Sequence, residues 1–321
     1  MFARSLTVPG FALRILAATT MLVAAVLLSA CGPDSRAEDE ASRSDRPRVL
    51  RIGWVPNDED VERRARWEGL VDYLERRLEM RVELVQTASY SPAIEALRAK
   101  KLEIVGLAPF AYLIASQKGL ALPLVAAGTA DGAPRAYRSG FIVPKDSPLR
   151  TLDDVKAHAS SITFSWADPA STSGHLVPRA HLESLGIHAE RDFKRAVFAM
   201  NHTASILTVK AGKVDLAAVT TTSLQNMITK GRIAADDVRL IWESEPIMAS
   251  IIAIRADLPE AFRAEILAAY LAFADEDPEA WERIAPLYLT EGVRWVAAHD
   301  RDFDALRVLA RNVEHLELLG E

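Results

Sequence analysis

The run Trp166-Ala167-Asp168-Pro169-Ala170-Ser171-Thr172-Ser173-Gly174-His175 decides how the rest of this chain is read. It follows a strand-like segment, Ser161-Ile162-Thr163-Phe164-Ser165, and opens a helical pattern in which Leu176, Val177, Ala180 and Leu185 recur. Three hydroxyl side chains therefore stand where a helix begins. The first turn of a helix has backbone N–H groups without intrahelical acceptors and carries partial positive charge. Three O–H donors added to those N–H groups make a pocket for a tetrahedral oxyanion without any lysine. A plainer reading makes Ser171 or Ser173 only the cap of that helix. Three hydroxyls in a row behind Asp-Pro favour the anion site.

Working outward, a chain of 321 residues with 50% apolar residues can bury enough surface for two domains. Arg4 and Arg14 precede the apolar run Ile15–Ala30, which ends in Leu28-Ser29-Ala30-Cys31. That run is short for a membrane span and has the shape of a signal peptide over residues 1–30. Cys31 is the single cysteine, so no internal disulfide is available. The segment resembles a bacterial lipoprotein signal, in which Cys31 is acylated and becomes the mature N-terminus. Residues 31–48 are small, charged and turn-prone, and read as a flexible tether. Losing Arg4 and Arg14 with the signal takes the formal net charge from −6 to about −8. Such an acidic surface argues against nucleic acid as a partner. It also leaves anion binding to local donors.

Along the chain, strand-like and helical patterns alternate. Val49–Trp54 is a strand pattern, Pro56-Asn57-Asp58 a turn, and Val61–Leu78 an amphipathic helix with Trp67, Leu70, Val71, Leu74 and Leu78 on one face. Strand patterns recur at Val82–Val85, Ile104–Leu107 and Leu122–Ala127, with helical ones at Tyr90–Ala99 and Phe110–Gln117. Asp131-Gly132-Ala133-Pro134 is a turn, and Tyr137–Val143 a strand that crosses to a second domain. Ile251–Ile254 is the return strand, and helices from Pro259 to Leu319 pack back on the first domain. The expectation is an α/β protein of two lobes, each a mostly parallel sheet flanked by helices, with ligand in the cleft between them. Lobe 1 takes residues 49–138 plus 250–321, and lobe 2 takes 139–249.

Three further residues are candidates for the site. Tyr90 follows Thr87-Ala88-Ser89 at a strand-to-helix turn, Tyr137 begins the crossover, and His202 follows Asn201 at another helix start. From sequence alone each of them also suits plain packing. No Gly-x-Ser-x-Gly elbow and no Walker-type glycine loop occurs, although Ser171 or Ser173 with His202 as base leaves a serine hydrolase as an alternative. The seven histidines show no metal-ligand spacing, and His175 and His181 lie six apart, off one helix face. Neither a metal nor a cofactor is expected.

Asp168-Pro169-x-Ser171-Thr172-Ser173-Gly174, followed by Val177-Pro178, resembles the periplasmic phosphate, phosphite and phosphonate-binding proteins of ABC transporters. Asp192-Phe193-Lys194-Arg195, the His202 segment, Gly212-Lys213-Val214-Asp215 and Val238-Arg239-Leu240-Ile241-Trp242 match that family in order, from about Leu50 to about Leu271. The resemblance implies a two-lobed periplasmic binding protein (type II) that closes on its ligand. It implies a phosphorus oxyanion held by Ser171, Thr172, Ser173, Tyr137, His202 and Tyr90, and an ABC permease as partner. A monomer anchored through the lipid on Cys31 is expected, on the periplasmic side of a bacterial membrane. Relatives that take aminoalkylphosphonates hold the ammonium with acidic residues. The matching positions here are Thr222 and Ser250. The site therefore reads as one for a compact oxyanion. A ligand-sensing input for a membrane signalling system, built on the same fold, is the alternative function.

Overall fold

The computed structural model describes residues 46–55, 61–129, 132–288, 292–313 and 316. The expected signal peptide, Cys31, residues 31–45 of the tether and the Pro56-Asn57-Asp58 turn lie outside the described residues.

From Val49 the chain forms β1 (Val49–Trp54), α1 (Val61–Leu78), β2 (Arg81–Gln86), α2 (Tyr90–Arg98), β3 (Ile104–Leu107), α3 (Pro109–Gln117) and β4 (Ala121–Gly128). It leaves through β5 (Ala136–Tyr137) into β6 (Ser139–Pro144), α4 (Leu152–Ala157), β7 (Thr163–Trp166), α5 (Val177–Ser184) and α6 (Ala189–Asp192). There follow β8 (Arg195–Phe198), α7 (His202–Lys210), β9 (Leu216–Thr220), α8 (Thr221–Thr229) and β10 (Val238–Glu243). The return runs through β11 (Ile247–Met248), β12 (Ile251–Arg255), α9 (Glu260–Glu276), α10 (Pro278–Ile284), β13 (Arg294–Ala297) and α11 (Asp304–Asn312).

These strands make a six-stranded sheet of order β13-β4-β12-β3-β1-β2 and a five-stranded sheet of order β10-β6-β9-β7-β8. In the first, β1 pairs in parallel with β2 and β3, whereas β12 runs antiparallel between β3 and β4, and β13 antiparallel to β4. In the second, β7 is parallel to β8 and β9, and β6 is antiparallel to both β9 and β10. The strands that run against the rest include β6 and β12. These two follow the chain's passages between the sheets, so they enter from the opposite end. The passages themselves pair as a two-stranded antiparallel ribbon, Tyr137 opposite Ile247 and Ala136 opposite Met248.

Each sheet is covered on both faces because alternate side chains point to opposite sides. On β6, Phe141 and Val143 join one cluster with Phe164, Trp166 and Leu182, while Ile142 joins the other with Ile206, Val209 and Met227. In the six-stranded sheet, Leu50 and Ile52 face Leu74, Phe262 and Trp281, and Val105 and Leu107 face Ile94 and Phe110. Buried Glu103 anchors the end of β3: its carboxylate meets Arg51 at 2.7 Å and Arg255 at 2.9 Å, tying the returning β12 to β1. Two guanidinium partners satisfy the charge that burial would otherwise make costly.

Two expectations need correction. The segment from Pro259 to Leu319 is not helical throughout, because β13 lies within it and pairs along β4 as an edge strand. Four residues are too few for periodicity to mark a strand. What holds β13 is Trp295, packed against Tyr270, Phe273 and Trp281. The crossing segment Tyr137–Val143 is also not one strand. It divides at Arg138 into β5 and β6, whose partners belong to different sheets. Among the described residues no helix is long and apolar enough to cross a membrane.

Candidate functional site

The site grows from the end of β7. After Trp166 the chain turns where Asp168 Oδ1 accepts the Ala170 N–H at 2.7 Å. Ser171 Oγ then accepts the Gly174 N–H at 2.9 Å, so this hydroxyl does cap the turn. Residues Thr172–Leu176 wind as a π turn before α5 begins, with the Leu176 N–H reaching the Ser171 carbonyl at 3.1 Å. Wide turns of this kind concentrate at functional sites. The close approach of Gly174 is part of the same turn. A Cβ there would stand 2.3 Å from the Ala167 Cβ and 2.9 Å from the His202 Cε1.

Ser171, Thr172 and Ser173 are all buried. Thr172 Oγ1 accepts the Phe110 N–H at 2.8 Å. Phe110 is the second residue of α3, so this is one of the N–H groups that a helix start leaves free. The bond joins a helix packed on the six-stranded sheet to a loop of the five-stranded one. The Ser173 carbonyl accepts from Ser139 Oγ at 2.7 Å, and the hydroxyls of Ser173 and Thr172 lie beside the Tyr137 phenol. Burial raises the Tyr137 pKa above its ordinary value of 10.0, and those two hydroxyls draw it back in part. The phenol therefore stays protonated and can donate. A hydroxyl that accepts one hydrogen bond keeps its own proton to give. That holds for Ser171 and Thr172 after each has accepted a backbone N–H.

His202 opens α7, where Asn201 Oδ1 caps the helix through the Ala204 N–H at 2.8 Å. Its Nδ1 accepts the Thr220 N–H at 3.2 Å. In the neutral ring the proton then sits on Nε2. Burial brings the pKa down to about 4, so near pH 7 His202 is neutral and offers one N–H. A ring that donates at Nε2 cannot serve there as the base of a serine hydrolase. Tyr90 is the first residue of α2, and its neighbour Ser91 places Oγ 3.3 Å from Asp168 Oδ1. Tyr90, Asp168, Ser171 and His202 line a gap of about 10 Å³ between the two sheets' loops. Tyr90, Tyr137 and His202 are thus brought to the same turn as the three hydroxyls.

His175 serves the turn's packing. Its ring lies between Trp166 and Phe198, and Nδ1 bonds the Pro169 carbonyl at 2.7 Å. Thr222 lies in the first turn of α8, and Ser250 is exposed just before β12. The sequence reading missed the Phe110 N–H and Asp168 as members of the site. Asp168 is 1% exposed, and its Oδ2 has no hydrogen-bond partner among the described residues. The Ala108-Pro109 step at a strand-to-helix turn was the available signal for Phe110. Among the described residues no group of three or more His, Cys, Asp or Glu side chains is placed to hold a metal ion.

Two mixed sheets, joined by a paired ribbon, with polar loops meeting between them, define a two-lobed binding protein of the type II periplasmic class. The chain belongs to the family of periplasmic substrate-binding proteins of ABC phosphonate transporters, whose model matches residues 52–303. It is 28% identical over 226 residues to the phosphonates-binding periplasmic protein of Escherichia coli, a match covering 70% of this chain and 66% of that one. It is 27% identical over 244 residues to the phosphate-import protein of Mycolicibacterium smegmatis, covering 74% and 75%. A solved binding-protein component of an ABC phosphonate transporter from Pseudomonas aeruginosa shares the fold, with a TM-score of 0.73 at 23% identity over 82% of this chain and 86% of that one. The family is periplasmic and binds substrates rather than transforming them.

Proposed function

We propose that this chain captures a phosphorus oxyanion for an ABC importer, and that it does so by closing two lobes on the ligand. Lobe 1 is residues 49–138 with 250–321, and lobe 2 is residues 139–249. The hinge is the ribbon of β5 and β11, where a small change of backbone angles swings one sheet against the other. The oxyanion is held by the hydroxyls of Ser171, Thr172 and Ser173 with the N–H groups of their turn. The Tyr137 and Tyr90 phenols and the His202 Nε2–H complete the donor set.

The observation that carries this reading is the 2.8 Å bond from the Phe110 N–H to Thr172 Oγ1. It brings a helix start from one side against the hydroxyl turn of the other, which concentrates donors and positive dipole in one buried place. No cationic side chain is needed, which suits a chain of net negative charge. The protein acts as a monomer beside a membrane permease, tethered by lipid on Cys31.

The test is calorimetric titration with phosphate, phosphite, methylphosphonate and 2-aminoethylphosphonate at one pH and salt. The first three are expected to bind more tightly than the aminophosphonate. Thr222 and Ser250 can accept a hydrogen bond from an ammonium but cannot neutralise it, and burying an unpaired charge is costly. Tighter binding of the aminophosphonate would mean that Asp168, or another acid, faces the ammonium.

A further inference from the structure

An acid stands among the donors of the hydroxyl turn. Asp168 is 1% exposed and lines the gap together with Tyr90, Ser171 and His202. Its Oδ1 accepts the Ala170 N–H at 2.7 Å and the Ser91 hydroxyl at 3.3 Å. Its Oδ2 is buried and has no hydrogen-bond partner among the described residues. The residues that line the gap include no lysine and no arginine. A buried carboxylate oxygen without a donor is costly, so one left in this state marks a place where something else supplies the donor.

An ionised carboxylate only accepts hydrogen bonds. The hydroxyls, the two phenols and the His202 Nε2–H suit the anionic oxygens of a ligand. Asp168 Oδ2 suits only a ligand oxygen that carries a hydrogen. A bare anionic oxygen against Oδ2 would set two negative charges together in a buried place, which like-charge repulsion opposes. A P–O–H group there puts a proton between the two oxygens, and a hydrogen bond to a charged acceptor is among the stronger kinds.

We propose that Asp168 Oδ2 accepts a hydrogen bond from a P–O–H group of the bound oxyanion, so that the site takes oxyanions with an acidic proton and rejects those without one. This rests on the oxyanion site proposed above and specifies the ligand's protonation state. Three anions separate the cases. Phosphate keeps one O–H even as the dianion. Methylphosphonate keeps one only as the monoanion, and its dianion has none. Sulfate has none near neutral pH. The other titratable groups around the turn are Tyr90 and His202 in the gap, Tyr137 beside Ser173, and His175 with the Arg179–Glu183 pair behind it. Burial holds His175 and His202 down at about 4 and raises Tyr137 above 10.0, and a phenol such as Tyr90 ordinarily loses its proton at about 10. Between about pH 6 and 9 the proton that changes is therefore the ligand's own.

The experiment is titration calorimetry of the protein with phosphate, methylphosphonate and sulfate at pH 6, 7.5 and 9 and one ionic strength. Methylphosphonate affinity is expected to fall by about tenfold per pH unit once its second proton is lost, while phosphate affinity does not fall. Phosphate is expected to bind at least about tenfold tighter than sulfate. In Asp168→Asn the amide keeps Oδ1 for the Ala170 N–H and puts an NH₂ donor in place of Oδ2. That variant is expected to lose the fall with methylphosphonate and to narrow the phosphate-to-sulfate ratio by about tenfold, with thermal unfolding as the check that it folds. The unsubstituted protein decides the matter even where the variant does not fold. Methylphosphonate affinity that stays level from pH 6 to 9, or sulfate bound as tightly as phosphate, overturns the role of Asp168 and leaves the oxyanion site standing. A fall that persists in a folded Asp168→Asn gives the proton another acceptor and overturns it as well. If none of the three anions binds at any pH, the oxyanion site itself fails and this inference with it.

Discussion

Replacing Thr172 by valine keeps the shape of the side chain and removes its oxygen. The structure gives that oxygen one bond, and the proposed function gives it a second duty. It accepts the Phe110 N–H at 2.8 Å, and its own proton is the one proposed to go to the oxyanion. Leaving a buried N–H without an acceptor costs about 1–3 kcal/mol, and a hydrogen bond to a charged group is worth about 1.5–3 kcal/mol. Even the lower ends together give about 2.5 kcal/mol, a fall in affinity of roughly fiftyfold or more. Thr172→Ser restores the oxygen without the methyl group and should stay within about tenfold of the unsubstituted protein. The assay is titration calorimetry with the tightest member of the oxyanion series, alongside thermal unfolding of the ligand-free protein. The Phe110 bond joins the two sheets' sides, so much of the loss should appear as weaker binding rather than as a lower melting temperature. Unchanged affinity in Thr172→Val would refute the proposed contact with the oxyanion.

Three further outcomes are expected. Gly174→Ala forces a Cβ to 2.3 Å from the Ala167 Cβ, so the turn must shift; overpacking of this kind typically costs about 1–3 kcal/mol, and both melting temperature and affinity should fall. Burial depresses His175 and His202 from 6.5 to about 4, so between those values the unfolded chain binds more protons than the folded one. Stability should therefore be complete above pH 6.5 and fall toward pH 4, by up to about 3 kcal/mol per histidine; urea melts of His202→Gln at pH 7, 5.5 and 4.5 should show a shallower loss, and an identical slope would count against it. Cys31→Ser should give a protein that carries no lipid and leaves the membrane fraction, whereas unchanged mass and partitioning would remove Cys31 as the anchor.

Much of the fold was legible because its signals are local. The apolar strand pattern of Val49–Trp54, the amphipathic face of Val61–Leu78 and the hydroxyl run after Asp168-Pro169 are each local, and periodicity, capping and turn chemistry act over that range. The family could be read from motifs in order along the chain for the same reason. The three hydroxyls, Tyr90, Tyr137 and His202 all stand at element boundaries that the sequence marks. What the hydroxyls bond to was not legible. Thr172 meets a backbone N–H 62 positions away, and a backbone N–H has no residue type to betray it.

The strands β13 and β5 were illegible on similar grounds, being four and two residues long and defined by partners far along the chain. The space beside Tyr90, lined by Trp54, Gly106, Leu107 and Ile252 among others, is an even clearer case. Trp54, Leu107 and Ile252 stand in separate strand patterns of the sequence, and nothing there marks Gly106. Only the arrangement of β1, β3 and β12 side by side turns them into the wall of an unfilled space next to Tyr90. Residue type and local spacing determined most of the elements, the two-sheet class and the hydroxyl turn. The register between distant strands, which no short window of sequence contains, decided the donor from α3, the Tyr137 contact and the room left beside the site.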